Sequence, residues 1–191
     1  MEYPLEIRLK STSRHPHLSI ADAGGQPILF LEQRSLEMET TLLVYSNTER
    51  NQPVYTINPD WILDFSAQYH FTDQDGKLLG SVRRDGERSM WRVRFEIMNG
   101  GPPNLRIQEE NPWAKFMDAL VGEIPLVGAV IPRLVYLVRA EDERTVVRLE
   151  KQPALFESRY RIDKQTELNG SEETRVLLSL LILVLSEQVS I

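Results

Sequence analysis

The chain contains no cysteine. That absence excludes disulfides, thiolate metal sites and a thiol nucleophile. Histidine is scarce: only His15, His17 and His70 occur among 191 residues. Positive charge is outweighed, with 22 Lys and Arg against 28 Asp and Glu, a formal charge of −6. That balance argues against a dedicated nucleic-acid binder. No apolar run approaches the roughly 20 residues a membrane-spanning helix needs. Met1 and Glu2 open no basic-then-apolar leader. The nucleophile elbow, the phosphate-binding loops and the helical zinc motif are all missing. The expectation is a soluble, cytoplasmic chain forming one domain over 1–191, long enough to bury a sizeable core.

What is present is best seen near the end. Val176 to Leu185 reads VLLSLLILVL, with Ser179 as its only polar residue. Leucine-rich and without strict alternation, it reads as a helix. Asn169 with Glu172 three residues on fits a capping box, Ser171 being the alternative cap, and Glu172 and Glu173 suit a first turn. Ten residues rise about 15 Å, too little to cross a bilayer. A helix apolar on every side must be buried on every side. Val176, Leu177, Leu180, Leu181 and Val184 are its expected core contacts.

The rest of the chain reads mainly as strands. Leu5, Ile7 and Leu9 alternate with Glu6, Arg8 and Lys10. Further strand-like runs are Leu18 to Ile20, Ile28 to Glu32, Thr41 to Ser46 and Val54 to Ile57. A hairpin is signalled by Leu63, Phe65, Ala67, Tyr69 and Phe71 on one face, with its turn at Asp75-Gly76 and its return over Lys77 to Arg84. Met90 to Met98, Leu105 to Glu109, Arg133 to Arg139, Arg144 to Glu150 and Phe156 to Ile162 complete about twelve strands. Between them, Asn111 and Pro112 suit a helix start, and Trp113, Phe116, Met117, Leu120 and Val121 recur at amphipathic spacing. Many short strands with one apolar face each, and one all-apolar helix, predict a closed antiparallel β-barrel around that helix. Closure would remove the edges and leave no side of the helix wet.

Several phrases in this order resemble the LURP-one-related proteins of the Tubby C-terminal-like superfamily, which also includes the phospholipid scramblases. They are Leu63-Asp64-Phe65-Ser66, Tyr69 through Gly80, Arg88-Ser89-Met90-Trp91-Arg92, Lys151-Gln152-Pro153-Ala154-Leu155-Phe156 and the capped terminal helix. The resemblance covers nearly the whole chain. It implies a twelve-stranded barrel around a hydrophobic C-terminal helix, with 111–132 as an apolar helical insertion. It implies no settled enzymatic activity, and points to a lipid or membrane surface as partner. No match to the phosphoinositide-binding residues of Tubby proteins, or to the scramblase calcium segment, is recognisable.

Two groups of residues are candidates for contact. Arg83, Arg84, Arg88, Arg92 and Arg94 fall on one hairpin and could form a shallow site for a phosphate-like anion. The acidic chain favours the plainer reading, a solvated outer face cross-paired with Asp85, Glu87 and Glu96. Trp113, Phe116, Met117, Leu120, Ile124, Leu126 and Val127 could meet a membrane or a partner, or pack over a barrel mouth. Asp73-Gln74-Asp75-Gly76-Lys77 lacks the later calcium ligands of an EF-hand loop, since those positions hold Lys77 and Arg84. His15-Pro16-His17 has no supporting acid or cysteine cluster and reads as a loop pair. The expectation is a non-enzymatic barrel with no cofactor, no metal and no nucleic-acid partner. It binds a lipid or membrane surface; the alternative is a protein-interaction scaffold or homodimer using 111–132.

Overall fold

Alternating apolar and polar residues give a strand one face for a core and one for water. That pattern recurs along the chain, as in β1 (Leu5–Lys10), where Leu5, Ile7 and Leu9 are buried while Arg8 and Lys10 are exposed. The computed structural model describes residues 1–10, 17–32, 41–61, 67–85, 94–110 and 134–189. Eleven further strands follow: β2 (His17–Ala21), β3 (Pro27–Glu32), β4 (Leu42–Tyr45), β5 (Pro53–Trp61), β6 (Ala67–Asp73), β7 (Leu78–Arg84), β8 (Arg94–Met98), β9 (Pro103–Glu109), β10 (Val135–Ala140), β11 (Thr145–Gln152) and β12 (Ser158–Lys164). One α-helix follows them, α1 (Gly170–Val189). Each strand pairs antiparallel with its sequence neighbours, and β12 pairs with β1 to close the barrel.

The inner faces of the strands and α1 share one apolar cluster. All ten residues of Val176 to Leu185 are buried, none more than 4% exposed. The barrel therefore encloses the helix, as the sequence requires. Ser179, the one polar residue of the run, donates its hydroxyl to the Arg175 carbonyl at 2.7 Å, so it brings no unmet polar group into the core. The helix start is also as expected. Asn169 Oδ1 accepts from the Glu172 amide at 2.9 Å, making Asn169 the cap rather than Ser171.

The backbone of α1 approaches β7 and β8 most closely. Gly80 allows this. It has a φ of +137°, and a Cβ there would lie 2.3 Å from the Met98 carbonyl oxygen and 2.5 Å from Arg175 Cδ.

Some expected boundaries shift. The run at Val54 to Ile57 extends through Pro59 to Trp61. Phe156 was expected to begin a strand, but β12 starts at Ser158, and Phe156 lies in the connection before it. Leu63 and Phe65, the first part of the 90–98 run, and the whole of 111–132 lie outside the described residues.

The meander sorts its connections by end. Tight turns after β2, β4, β6, β8 and β10 share one end with the start of α1. At the other end lie the C-terminal part of α1 and the β11–β12 connection. The strand ends bordering 11–16, 33–40, 62–66, 86–93 and 111–133 are there too. Glu110 and Leu134, which flank the longest of these, are held there. The Glu110 amide donates to the Val135 carbonyl at 2.8 Å, and the Lys151 amide to the Leu134 carbonyl at 2.9 Å.

Candidate functional site

Among the described residues, the β11–β12 connection is the most conspicuous feature of this second end. Ladder pairing stops at Gln152 opposite Arg159, and Pro153 begins the loop. Leu155 is 92% exposed and Phe156 83%, the highest values for large apolar side chains among the described residues. A single exposed leucine is ordinary, but two adjacent large apolar residues at a loop apex are not accounted for by folding.

The base of this apex is charged. Glu157 Oε1 accepts from Arg159 Nε at 3.2 Å and Nη2 at 2.6 Å. That bonding, with the charges of Arg159, Arg8 and Lys10, holds the Glu157 carboxyl below the usual carboxylate value. Glu6 bridges Arg8 and Arg159, which face each other directly in the β1–β12 register, and so offsets their repulsion.

Beneath the apex, the last turn of α1 is tied to the same hairpin. Tyr160 donates its hydroxyl to Glu187 Oε2 at 2.5 Å, and Tyr136 donates to Oε1 of the same carboxylate. Lys151 Nζ lies 3.6 Å from Glu187 Oε2 and 5.5 Å from the Tyr160 ring centre. Burial, reinforced by the Glu187 carboxylate, pushes both tyrosine hydroxyls well above their ordinary value of 10.0. A carboxylate at a helix C-terminus opposes the dipole, so it needs these donors. Lys151 and Tyr160 flank the loop, so Glu187 anchors both of its stems.

The arginine group divides. Arg83 is paired with Glu96 at 2.8 Å on the outer face, as the plainer reading had it. Arg94 shares that face, two residues from Glu96. Arg84 does not. Its register partner is Phe95, and it shares the parity of inward-facing Val82. It sits at the rim near Tyr69, where its charge opposes the upward push that burial gives the Tyr69 hydroxyl. The expected single outer-face group is therefore corrected for Arg84, because a strand alternates its faces. Arg88 and Arg92 lie outside the described residues, as do Trp113, Phe116, Met117, Leu120, Ile124, Leu126 and Val127.

The two described histidines do not converge, and His15 lies outside the described residues. His17 opens β2 rather than lying in a loop, and its ring is 5.4 Å from that of Phe30. His70 Nε2 is 3.7 Å from Asp60 Oδ2 on a different part of the wall. Among the described residues, no group of three or more His, Asp or Glu is placed to hold a metal ion.

The opposite end carries a cavity of about 390 Å³. Val54, Tyr55 and Leu79 supply apolar wall; Asp73, Gln74, Asp75 and the first turn of α1 supply the polar part. Asp73 Oδ1 is committed to the amides of Asp75 and Lys77, at 3.0 and 2.9 Å, which makes this a hairpin turn. Nearby, Glu173 accepts from Tyr3 at 2.8 Å and from Lys164 at 3.3 Å, so α1 is tied by a carboxylate at this end too. Arg175 is only 3% exposed and donates through Nη1 to the Leu79 carbonyl and to Asn99 Oδ1, each at 3.2 Å.

Sequence reasoning missed Leu155 and Phe156 as contact residues, and missed the Glu187 cluster altogether. The first had a signal, a proline followed by three apolar residues between two strands. The second had none, since Tyr136, Tyr160 and Glu187 meet only through the strand register. Comparison with family models, curated proteins and solved structures finds no match for this chain. Among the described residues no helix is long and apolar enough to cross a membrane.

Proposed function

We propose that this barrel is a non-catalytic protein that docks reversibly on a lipid surface through the β11–β12 loop. The resemblance to the LURP-one-related and Tubby C-terminal-like proteins supports that reading. The observation that carries it is the pair Leu155 and Phe156, held out at one end of a rigid barrel and almost wholly exposed. Moving both into an apolar phase is worth about 3–6 kcal/mol, from roughly 1.5–3 kcal/mol for each side chain. A gain of that size gives weak, reversible attachment, comparable to a single acyl chain. The charges at the base of the loop are nearly balanced, and the chain is acidic. Binding should therefore rest on the apolar apex rather than on anionic headgroups, and zwitterionic vesicles should suffice.

Co-sedimentation with phosphatidylcholine vesicles tests this. Phe156→Asp should reduce the bound fraction about tenfold or more. Its melting temperature should stay that of the parent, because the substituted ring touches no core. Parent protein that stays in the supernatant at every lipid concentration, or a Phe156→Asp variant that sediments as well as the parent, would sink the proposal. An apex that instead captures a protein partner would show the same sensitivity to Phe156→Asp in a pull-down, but no lipid dependence.

A further inference from the structure

Arg106 on β9 and Arg139 on β10 face each other directly in the strand register, on the outer wall. Side chains so placed leave their strands about 5 Å apart, and like charges there are destabilising. The other such pair, Arg8 with Arg159, has Glu6 bridging both guanidinium groups. Arg106 and Arg139 have no bridging acid among the described residues. Glu96 faces Arg106 in the register, yet its carboxylate accepts from Arg83 Nη2 at 2.8 Å. Glu143 reaches Arg139 Nη1 alone, at 3.2 Å, from the exposed β10–β11 turn, where Asp142 is taken by Arg144 at 3.5 Å. Glu141 lies in that turn too, beyond the last ladder pair, Ala140 with Leu105. Arg106 itself is exposed and makes no ion pair or side-chain hydrogen bond among the described residues. Hydrogen bonding is incomplete at the same place. Among the described residues, three buried side-chain polar atoms lack a partner, and two of them, Arg139 Nε and Asn104 Oδ1, belong to this face of β9 and β10.

We infer that Arg106 and Arg139 together hold a phosphate-type dianion carried by a small soluble molecule. Guanidinium groups meet oxyanions with parallel donors, and an oxyanion between these two takes the part that Glu6 takes between Arg8 and Arg159. A tetrahedral dianion has acceptor oxygens for both forks and charge enough to balance both, whereas one carboxylate balances only one. Arg106 has no contact to give up. Arg139 gives up one exposed pairing with Glu143, a kind of contact that contributes little, and its Nε, now without an acceptor, then meets one. The source of the anion follows from the position. Arg139 faces Thr145 at the start of β11, and the β11–β12 apex lies past the far end of that 8-residue strand, about 25 Å away. That is about three Debye lengths at physiological salt, so headgroups beneath a docked apex neither touch nor attract this site. The site is separate from the lipid reading and does not rest on it.

Isothermal titration with inorganic phosphate, at constant ionic strength with chloride as the balancing anion, tests the inference. The parent should bind one equivalent, more tightly at about pH 8 than at about pH 6, as phosphate takes on its second negative charge. Arg106→Gln and Arg139→Gln should each weaken binding about tenfold or more. Arg161→Gln removes an equal charge elsewhere on the wall, where Arg161 pairs with Asp163, and should bind like the parent. Thermal melts give a second readout. Without phosphate, Arg106→Gln should melt no lower than the parent, because it relieves the repulsion; with phosphate, the parent should gain and the variant should not. A parent that binds no phosphate overturns the inference. So does an Arg106→Gln variant that binds as tightly as the parent, or an Arg161→Gln variant that loses as much. Vesicles containing phosphatidic acid test the source. They should bind the parent as phosphatidylcholine vesicles do, with no effect of Arg106→Gln. Tighter binding to phosphatidic acid that Arg106→Gln abolishes would assign the anion to a headgroup and overturn the soluble source. Failure of vesicle binding in all forms, with the phosphate titration intact, removes only the lipid reading.

Discussion

Gly80 shows how one residue sets the position of the central helix. Its φ of +137° disfavours any side chain, and its missing Cβ leaves room for the Met98 carbonyl and the stem of Arg175. Gly80→Ala adds a strained backbone to a collision with backbone oxygen. It should cost about 2–4 kcal/mol, read as a lowered midpoint in chemical denaturation. A midpoint equal to the parent's would mean that the helix can move away from β7 without loss. Arg84 makes the opposite point about what a single residue discloses. Counting by twos from Val82 already assigns it to the inner face, yet its charge suggests the outer one. At a barrel rim a long basic side chain can keep an inward stem and a wet head, so parity is the better guide there.

The helix is the element on which everything else depends. Leu181 is 1% exposed inside the closed barrel. Leu181→Asp puts an unpaired carboxylate there at a cost on the order of 5 kcal/mol or more, comparable to the whole stability of a typical domain. The variant should be insoluble or lack a cooperative melt; a soluble form melting like the parent would show that the helix is not enclosed. This element was legible in the sequence because ten apolar residues in a row leave no face for water. The strands were legible because alternation reports one buried face, as in β1 and β6. The β11–β12 connection was not. Phe156 is a good strand former beside a predicted strand, and nothing local says that chain direction reverses around it. Propensity placed it in β12, whereas the register, with Gln152 opposite Arg159, leaves it beyond the ladder.

Across the whole molecule, α1 is secured at both ends by a carboxylate that accepts from tyrosine: Glu173 from Tyr3, and Glu187 from Tyr136 and Tyr160. Burial and the neighbouring carboxylates raise all three hydroxyls above 10.0. The folded barrel holds these protons after the unfolded chain has begun to release them. Their contribution is therefore complete below about pH 10 and declines as pH rises beyond it. Denaturation midpoints should fall steeply in that alkaline range, and Tyr136→Phe should make the decline shallower. A parental midpoint that is flat through the same range would mean the hydroxyls ionise as freely in the fold as outside it.

The barrel thus presents two unlike ends, one of tight turns around a cavity, the other with an apolar apex tied to the helix through Glu187. The proposed function lies at the second. Because the chain has no cysteine, Leu155→Cys provides a unique attachment point for a polarity-sensitive fluorophore. Asp75→Cys provides the matching control at the opposite end. On addition of phosphatidylcholine vesicles, emission from position 155 should shift to the blue and that from position 75 should stay unchanged. An unshifted spectrum at position 155, or an equal shift at both positions, contradicts docking through the apex.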